Sequence, residues 1–301
     1  AIFTVQGNCN GTFTNPQEHR IPGGARRADG ITVGQFDAGD GPDVAVAHSF
    51  RGQVISLYNR GSNRGFEEPT EFAMDGDPVS IASGDFNSDG FDDVVTADDD
   101  PRTVDEVVVM LNDQEQSYER PINYIIGLNT TDITVADFNT DGIPDIAALN
   151  RESRIQTAAD RFSISILLTM TERFGNNGSI RGTGVFEVKA PFDVNCPGRF
   201  NGVPIRCTLR DIKAGDFDND GLVDLAVAIS TLVDDDIDIE TPGFIMIYQG
   251  LGQGRFEFAA QMNVGRQPRG IATGDVTGDA VDDIIVTEQG PCLLYTSPSP
   301  R

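Results

Sequence analysis

Tryptophan is absent, histidine occurs only as His19 and His48, and lysine only as Lys189 and Lys213. The four cysteines form no C-x-x-C and no Cys/His cluster at zinc spacing. No H-E-x-x-H, G-x-S-x-G or phosphate-binding glycine loop occurs. No catalytic constellation is visible, and the chain reads as a non-enzyme. His48 ends a predicted strand, where a packed or solvated imidazole suffices. No apolar run approaches the ~18 residues of a membrane-spanning helix. Basic charge is short as well: 22 Lys and Arg face 47 Asp and Glu, for a net charge of −25. Affinity for nucleic acid rests on Lys and Arg, so a nucleic-acid partner is excluded. An acidic surface serves solubility, as in a salty habitat; alternatively, many of the acids are metal ligands.

Also missing is any stretch with a sustained period of 3.6, which argues against helices. What is present is 33 Gly, 16 Pro and 39 % apolar residues in 301, the composition of a globular chain with many short elements and turns. That length accommodates one large all-β domain or two ordinary ones. The chain opens on Ala1 with no visible leader, which reads as a fragment. The closing "CLLYTSPSPR" (residues 292–301) reads as translated sequencing adaptor, with native sequence breaking off near Pro291. Cys196 and Cys207 bracket a Pro/Gly-rich stretch and suit a local disulfide; two free thiols are the alternative. Cys9 has no evident partner. Sequons stand at Asn10, Asn129 and Asn177. Together these features point to an extracellular location.

The informative feature is a repeat. The pattern D-x-[DN]-x-D-G-x-x-D, followed by apolar residues, occurs as "DFNSDGFDDVV" from Asp85, "DFNTDGIPDIA" from Asp137 and "DFDNDGLVDLA" from Asp216. A fourth copy, "DVTGDAVDDII" from Asp275, has Ala280 in place of Gly and Thr277 at its third position. A worn copy, "QFDAGDGPDVA" from Gln35, has lost two acids. Successive spacings are 50, 52, 79 and 59 residues. Each loop is preceded by a short apolar run and followed by two more. An aromatic-led run such as "RGFEEP", "QSYERP" or "GVFEVKAP" completes the unit. Four strands of four to seven residues per unit read as a blade of a β-propeller. A small sheet covered on both faces explains apolar runs that do not alternate. Blades are expected to start near residues 30, 79, 132, 211 and 270, the last truncated at 291. Residues 1–29 would supply the last strands of a preceding blade. The long third spacing calls for loops at 151–161 and 193–210.

The loop itself calls for a cation. Two carboxylates ~4 Å apart repel by ~4 kcal/mol at an effective dielectric of 20, so several in one turn would splay it. Side chains at positions one, three and five can converge, Gly at six permits the reversal, and position seven offers a carbonyl. Asp at nine closes the site, an all-oxygen set suited to calcium. The candidate ligands are Asp85, Asn87, Asp89, Phe91 and Asp93; Asp137, Asn139, Asp141, Ile143 and Asp145; Asp216, Asp218, Asp220, Leu222 and Asp224; and Asp275, Thr277, Asp279, Val281 and Asp283. In the worn copy, Asp37, Asp40 and Asp43 either bind weakly or form a plain turn. An EF-hand would need Glu at position twelve, where Thr96, Ala148, Val227 and Val286 stand instead. Asx-turn chemistry without a metal is the competing reading.

These cores, "GDF-x-x-DG-x-x-D-apolar" at 84–96, 136–148 and 215–227, resemble the FG-GAP/VCBS-type repeats of integrin α-subunit propellers and bacterial surface proteins. The resemblance covers roughly residues 6–287. It implies a propeller, most often seven-bladed, of which about five blades would be present here, with three to five calcium ions in hairpin loops. It further implies an extracellular module for protein or glycan binding and adhesion. The propeller of a polysaccharide lyase and a purely structural spacer are the alternatives, and the scarcity of Lys and His weighs against the lyase.

Overall fold

A computed structural model describes residues 1–5, 7, 12–22, 28–39, 41–61, 65–74, 76–98, 106–151, 161–175, 179–200, 202–233, 241–288 and 295–297. The described residues are strand and turn, apart from a single 3-10 turn at Ser49–Arg51. A hairpin of β1 (Ile2–Thr4) and β2 (Gln17–His19) comes first. Next is a four-stranded antiparallel sheet of β3 (Ala28–Gly34), β4 (Asp43–His48), β5 (Gln53–Leu57) and β6 (Thr70–Ala73). A second holds β7 (Pro78–Gly84), β8 (Asp93–Asp98), β9 (Glu106–Met110) and β10 (Ile122–Ile125). A third holds β11 (Thr130–Ala136), β12 (Asp145–Arg151), β13 (Phe162–Phe174), β14 (Ser179–Val188) and β15 (Phe192–Val194). A fourth holds β16 (Arg199–Phe200), β17 (Val203–Gly215), β18 (Asp224–Val233), β19 (Gly243–Gly250) and β20 (Phe256–Val264). The fifth is β21 (Pro268–Gly274), β22 (Asp283–Glu288) and β23 (Tyr295–Ser297). Each sheet is a meander, and the first strands β3, β7, β11, β17 and β21 neighbour one another in sequence order. This is the blade arrangement of a β-propeller.

The second strands explain why the apolar runs do not alternate. In β18, Leu225, Val227 and Ile229 pack toward the third sheet, while Ala226 and Ala228 pack toward the fifth. In β12, Ile146 and Ala148 face the second sheet, while Ala147 and Leu149 face the fourth. Both faces are covered, so apolar residues stand at successive positions. One cluster fills each junction between sheets, and each receives the phenylalanine at position two of a loop. Phe36, Phe86, Phe138 and Phe217 are at most 3 % exposed. The fifth copy has Val276 there, and it is 55 % exposed. The loops are therefore anchored by an apolar side chain that points into the core.

Three expectations need correction. The stretch 193–210 is largely strand, although a loop was expected there. Ile205, Cys207 and Leu209 are buried at period two, and they extend β17 to thirteen residues against β18. The Cys196–Cys207 disulfide closes this extension, with Cα atoms 6.2 Å apart. Strands accordingly exceed four to seven residues in the third and fourth sheets. In the first two sheets the aromatic-led runs also begin one step early. Phe66 and Tyr118 form isolated bridges to Asn59 and Asn112, and the fourth strand follows them. In the third sheet the fourth strand is broken between β14 and β15, where Pro191 withholds an amide. The other expected loop, 151–161, falls mostly outside the described residues, as do Cys9, Asn10 and Asn177. Within the tail, Tyr295–Ser297 lies along the edge of β22, which accepts a short extended segment.

Each first strand also carries a bulge, at Ala28/Gly30, Pro78/Ser80, Thr130/Asp132, Leu209/Asp211 and Pro268/Gly270. The sequence pattern did not reveal it. Two of the residues that follow these bulges tie sheets together. Asp132 accepts the Ile212 amide at 3.0 Å, and Asp211 accepts the Ile271 amide at 2.7 Å. Lys213 bridges both carboxylates. Burial and the facing Asp132 push Asp211 up to about 7. Burial opposes the Lys213 charge, but the two carboxylates outweigh it and raise its pKa. This carboxylate–lysine set has its donors and acceptors engaged by the joint between sheets.

Candidate functional site

The nine-residue loops join the first and second strands of each sheet. Their shape follows from carboxylates placed to accept backbone amides. At position one, Asp85 accepts the amides of Asp89 (3.0 Å) and Gly90 (2.9 Å). Asp137 does the same for Asp141 and Gly142, Asp216 for Asp220 and Gly221, and Asp275 for Asp279 and Ala280. These amide bonds, that to Ala280 first, lower the pKa of the exposed Asp275. At position three, Asn87, Asn139 and Asp218 accept the amide two residues on. At position five, Asp89, Asp141, Asp220 and Asp279 accept the amides of Phe91, Ile143, Leu222 and Val281. Nested turns of this kind point three side chains toward one centre.

Two positions of the second to fifth loops are left-handed. Position six has φ of 92° at Gly90, 86° at Gly142, 83° at Gly221 and 66° at Ala280. Position four has φ of 57° at Ser88, 64° at Thr140, 60° at Asn219 and 78° at Gly278. The first set was legible as glycine. The second was missed because most of its members have a Cβ, and a left-handed threonine is strained. Asn219 was the one readable signal there.

Position nine has a different environment. Asp43, Asp93, Asp145 and Asp224 are at most 1 % exposed. One Asp93 oxygen takes the Phe86 amide at 2.9 Å and the other takes the Asn112 amide at 2.7 Å. The same clamp recurs from Asp43 to Phe36 and Asn59, from Asp145 to Phe138 and Thr169, and from Asp224 to Phe217 and Gly250. Each carboxylate fastens the loop start to the end of the third strand. Burial pushes Asp93 and Asp145 up to about 7 and Asp224 up to about 6, and it raises Asp43 as well. Asp283 holds the amides of Val276 and Thr277. Reading position nine only as a metal ligand missed this second task.

Among the described residues, carboxylate oxygens of Asp216, Asp218 and Asp224 come within 4.8 Å of one another. Positions one, three and nine thus converge in the fourth sheet. The loops from Asp85 and Asp137 share its hydrogen-bond pattern, with an asparagine amide oxygen at position three. An oxygen-only set with crowded negative charge fits a hard cation such as calcium.

The worn first loop is different. Gln35 Nε2 donates to the carbonyls of Asp37 (2.6 Å) and Gly39 (3.1 Å). Asp37 is engaged by the Gly39 amide and by Gln116 of the second sheet. Amide donors thus take up the Asp37 carboxylate, position three of this loop. Asp43 is the clamp, and Asp40 lies outside the described residues. Of the candidate ligands of this loop, the two described, Asp37 and Asp43, are both engaged by amides of the protein.

Adjacent loops are tied to each other and to the next sheet. Asp92 accepts the Gln35 amide and donates its own amide to the Gln35 carbonyl, both at 2.8 Å. Asp282 does the same with Asp216. The carbonyls of Phe36, Phe86 and Phe138 accept Asn112 Nδ2, the Gly184 amide and the Gly254 amide. Turns of the following sheet therefore brace each loop.

Comparison with known families matches residues 38–96, 85–148 and 216–286 to the FG-GAP-like repeat. No curated protein matches the chain.

Proposed function

The chain belongs to the FG-GAP-like repeat family, and from that premise we propose that it is an extracellular, calcium-stiffened propeller module that binds a protein or glycan partner. The observation that carries the calcium reading is the convergence of Asp216, Asp218 and Asp224, in a loop pattern repeated from Asp85 and Asp137. In each loop positions one, three, five and nine would hold the ion, with the carbonyls of Phe91, Ile143 and Leu222 completing the set. The loop from Asp275 would bind more weakly, with Thr277 at position three. The sealed first loop would not bind. The ion's contribution is charge neutralisation and rigidity, leaving the loop-built rim for a partner. The Cys196–Cys207 disulfide supports an oxidising compartment. No helix among the described residues is long and apolar enough to cross a membrane.

Calorimetry should find three or four calcium ions per chain, EGTA should lower the melting temperature, and Asp218→Ala should remove one ion. A chain that takes up no calcium, with a melting temperature indifferent to EGTA, ends this reading.

A further inference from the structure

Between the third and fourth sheets, beside the loop from Asp137, lies an open groove of about 860 Å³. Its floor is Leu168, Phe192 and Phe256, and its walls carry Lys189, Arg255 and Asn139. Among the described residues no Asp or Glu lines it, in a chain where acids outnumber bases 47 to 22. Lys189 is one of only two lysines, and it meets the exposed Glu187 at 2.8 Å outside the lining. Arg255 has no carboxylate partner among the described residues. We propose that this groove is a docking site for an acidic peptide segment of a partner protein, with an apolar side chain on the floor and a carboxylate between Lys189 and Arg255.

Charge complementarity selects the sign of the partner, and the volume lies within the range of ligand-holding clefts. The state of the rings selects peptide over sugar. Phe192 is flanked by Tyr248 at 5.4 Å and by Phe256 at 5.7 Å, the latter stacked at 24°. Phe256 also meets Phe138 edge-on at 5.6 Å. Both rings are thus engaged within an aromatic cluster, which leaves less open face for a sugar ring to stack on. An aliphatic or aromatic side chain can still seat against their edges, whose positive rim also favours a carboxylate. The groove is fastened to the metal loop through the Gly254 amide on the Phe138 carbonyl (2.9 Å) and through Asn139 in the wall. The proposal thus specifies the partner surface of the binding module above and rests on that reading.

The test uses the full chain in calcium, panned against random heptapeptides on phage. Counter-selection uses the Lys189→Glu/Arg255→Glu double variant. Enriched sequences should pair Asp or Glu with Leu, Phe or another apolar residue. The strongest binder, made as a free peptide, should bind the double variant at least tenfold more weakly. It should bind Arg20→Glu, a charge reversal on the amino-terminal hairpin, unchanged. No enrichment, enrichment without acids, or binding indifferent to the double variant overturns the proposal. So does a uronate tetrasaccharide that binds through Arg255 where peptides do not. Calcium titration of the same samples separates the two readings. A chain that takes calcium but enriches no peptide loses the groove alone; one that takes no calcium yet binds peptide through Arg255 loses the calcium reading alone.

Discussion

Removal of the Asp93 carboxylate separates its two tasks, because the clamp works without metal. Asp93 is fully buried and serves two amides, those of Phe86 and Asn112, at 2.9 and 2.7 Å. Asp93→Ala leaves both donors in an apolar junction with no substitute. A buried donor left unsatisfied costs about 1–3 kcal/mol, so the pair costs about 2–6 kcal/mol. Against this stands the relief of no longer burying a charge, which is real because burial holds the group up to about 7. Near pH 7 that relief is close to its full value, about 4 kcal/mol, and would mask the clamp; at pH 5, about one unit above the unfolded pKa, it is only about 1.5 kcal/mol. The net loss at pH 5 without calcium is therefore about 0.5–4.5 kcal/mol. For a chain of this size that corresponds to a melting temperature lower by about 1–13 °C. Asp93→Asn keeps one acceptor and should fall between wild type and Asp93→Ala. The assay is urea unfolding of the calcium-stripped protein at pH 5, followed by near-UV circular dichroism. A change below about 0.5 kcal/mol without calcium would refute the clamp and leave Asp93 a metal ligand only.

Other outcomes follow from the same geometry. In EGTA the buried clamps bind protons when folded that the unfolded chain has released above its pKa near 4. Stability of the chelated protein should therefore rise as pH falls from 7.5 to about 5, while the stabilisation by calcium shrinks. A chelated melting temperature that drops steadily over that interval contradicts the raised pKa values. Ala280→Gly relieves a left-handed alanine at φ 66° and should stabilise the chain by about 1 kcal/mol, with tighter calcium at that loop by calorimetry. Gln35→Ala removes the amide bonded to the Asp37 and Gly39 carbonyls. It should cost about 1 kcal/mol and leave the calcium count unchanged; loss of an ion would show that the first loop binds metal. A Cys196→Ser/Cys207→Ser variant opens a crosslink eleven residues apart and should lose about 3 kcal/mol in thermal unfolding.

The repeat was legible because its determinants are local. Asp at positions one and five, Gly at six and an apolar run from nine are dictated within one turn of chain, so the pattern survives reading in one dimension. The all-β class and the blade unit came from the same source. The left-handed position four was invisible because Ser88 and Thr140 are conformations imposed by the loop and not favoured by the residue. Position nine read as a ligand, and the clamp did not, because the amides of Asn112, Thr169 and Gly250 approach from strands about 20 or more residues away. The extra strand of the fourth sheet, the ties between neighbouring loops and the groove at Lys189 and Arg255 likewise exist only once sheets are packed. Sequence thus determined which turns form and which strands are covered on both faces, since both follow from short-range sterics and from apolar content. Tertiary structure alone decided which carboxylates are buried, which loop is sealed by an amide, and where positive charge gathers on an acidic chain. Those depend on distances between segments that the order of residues does not specify.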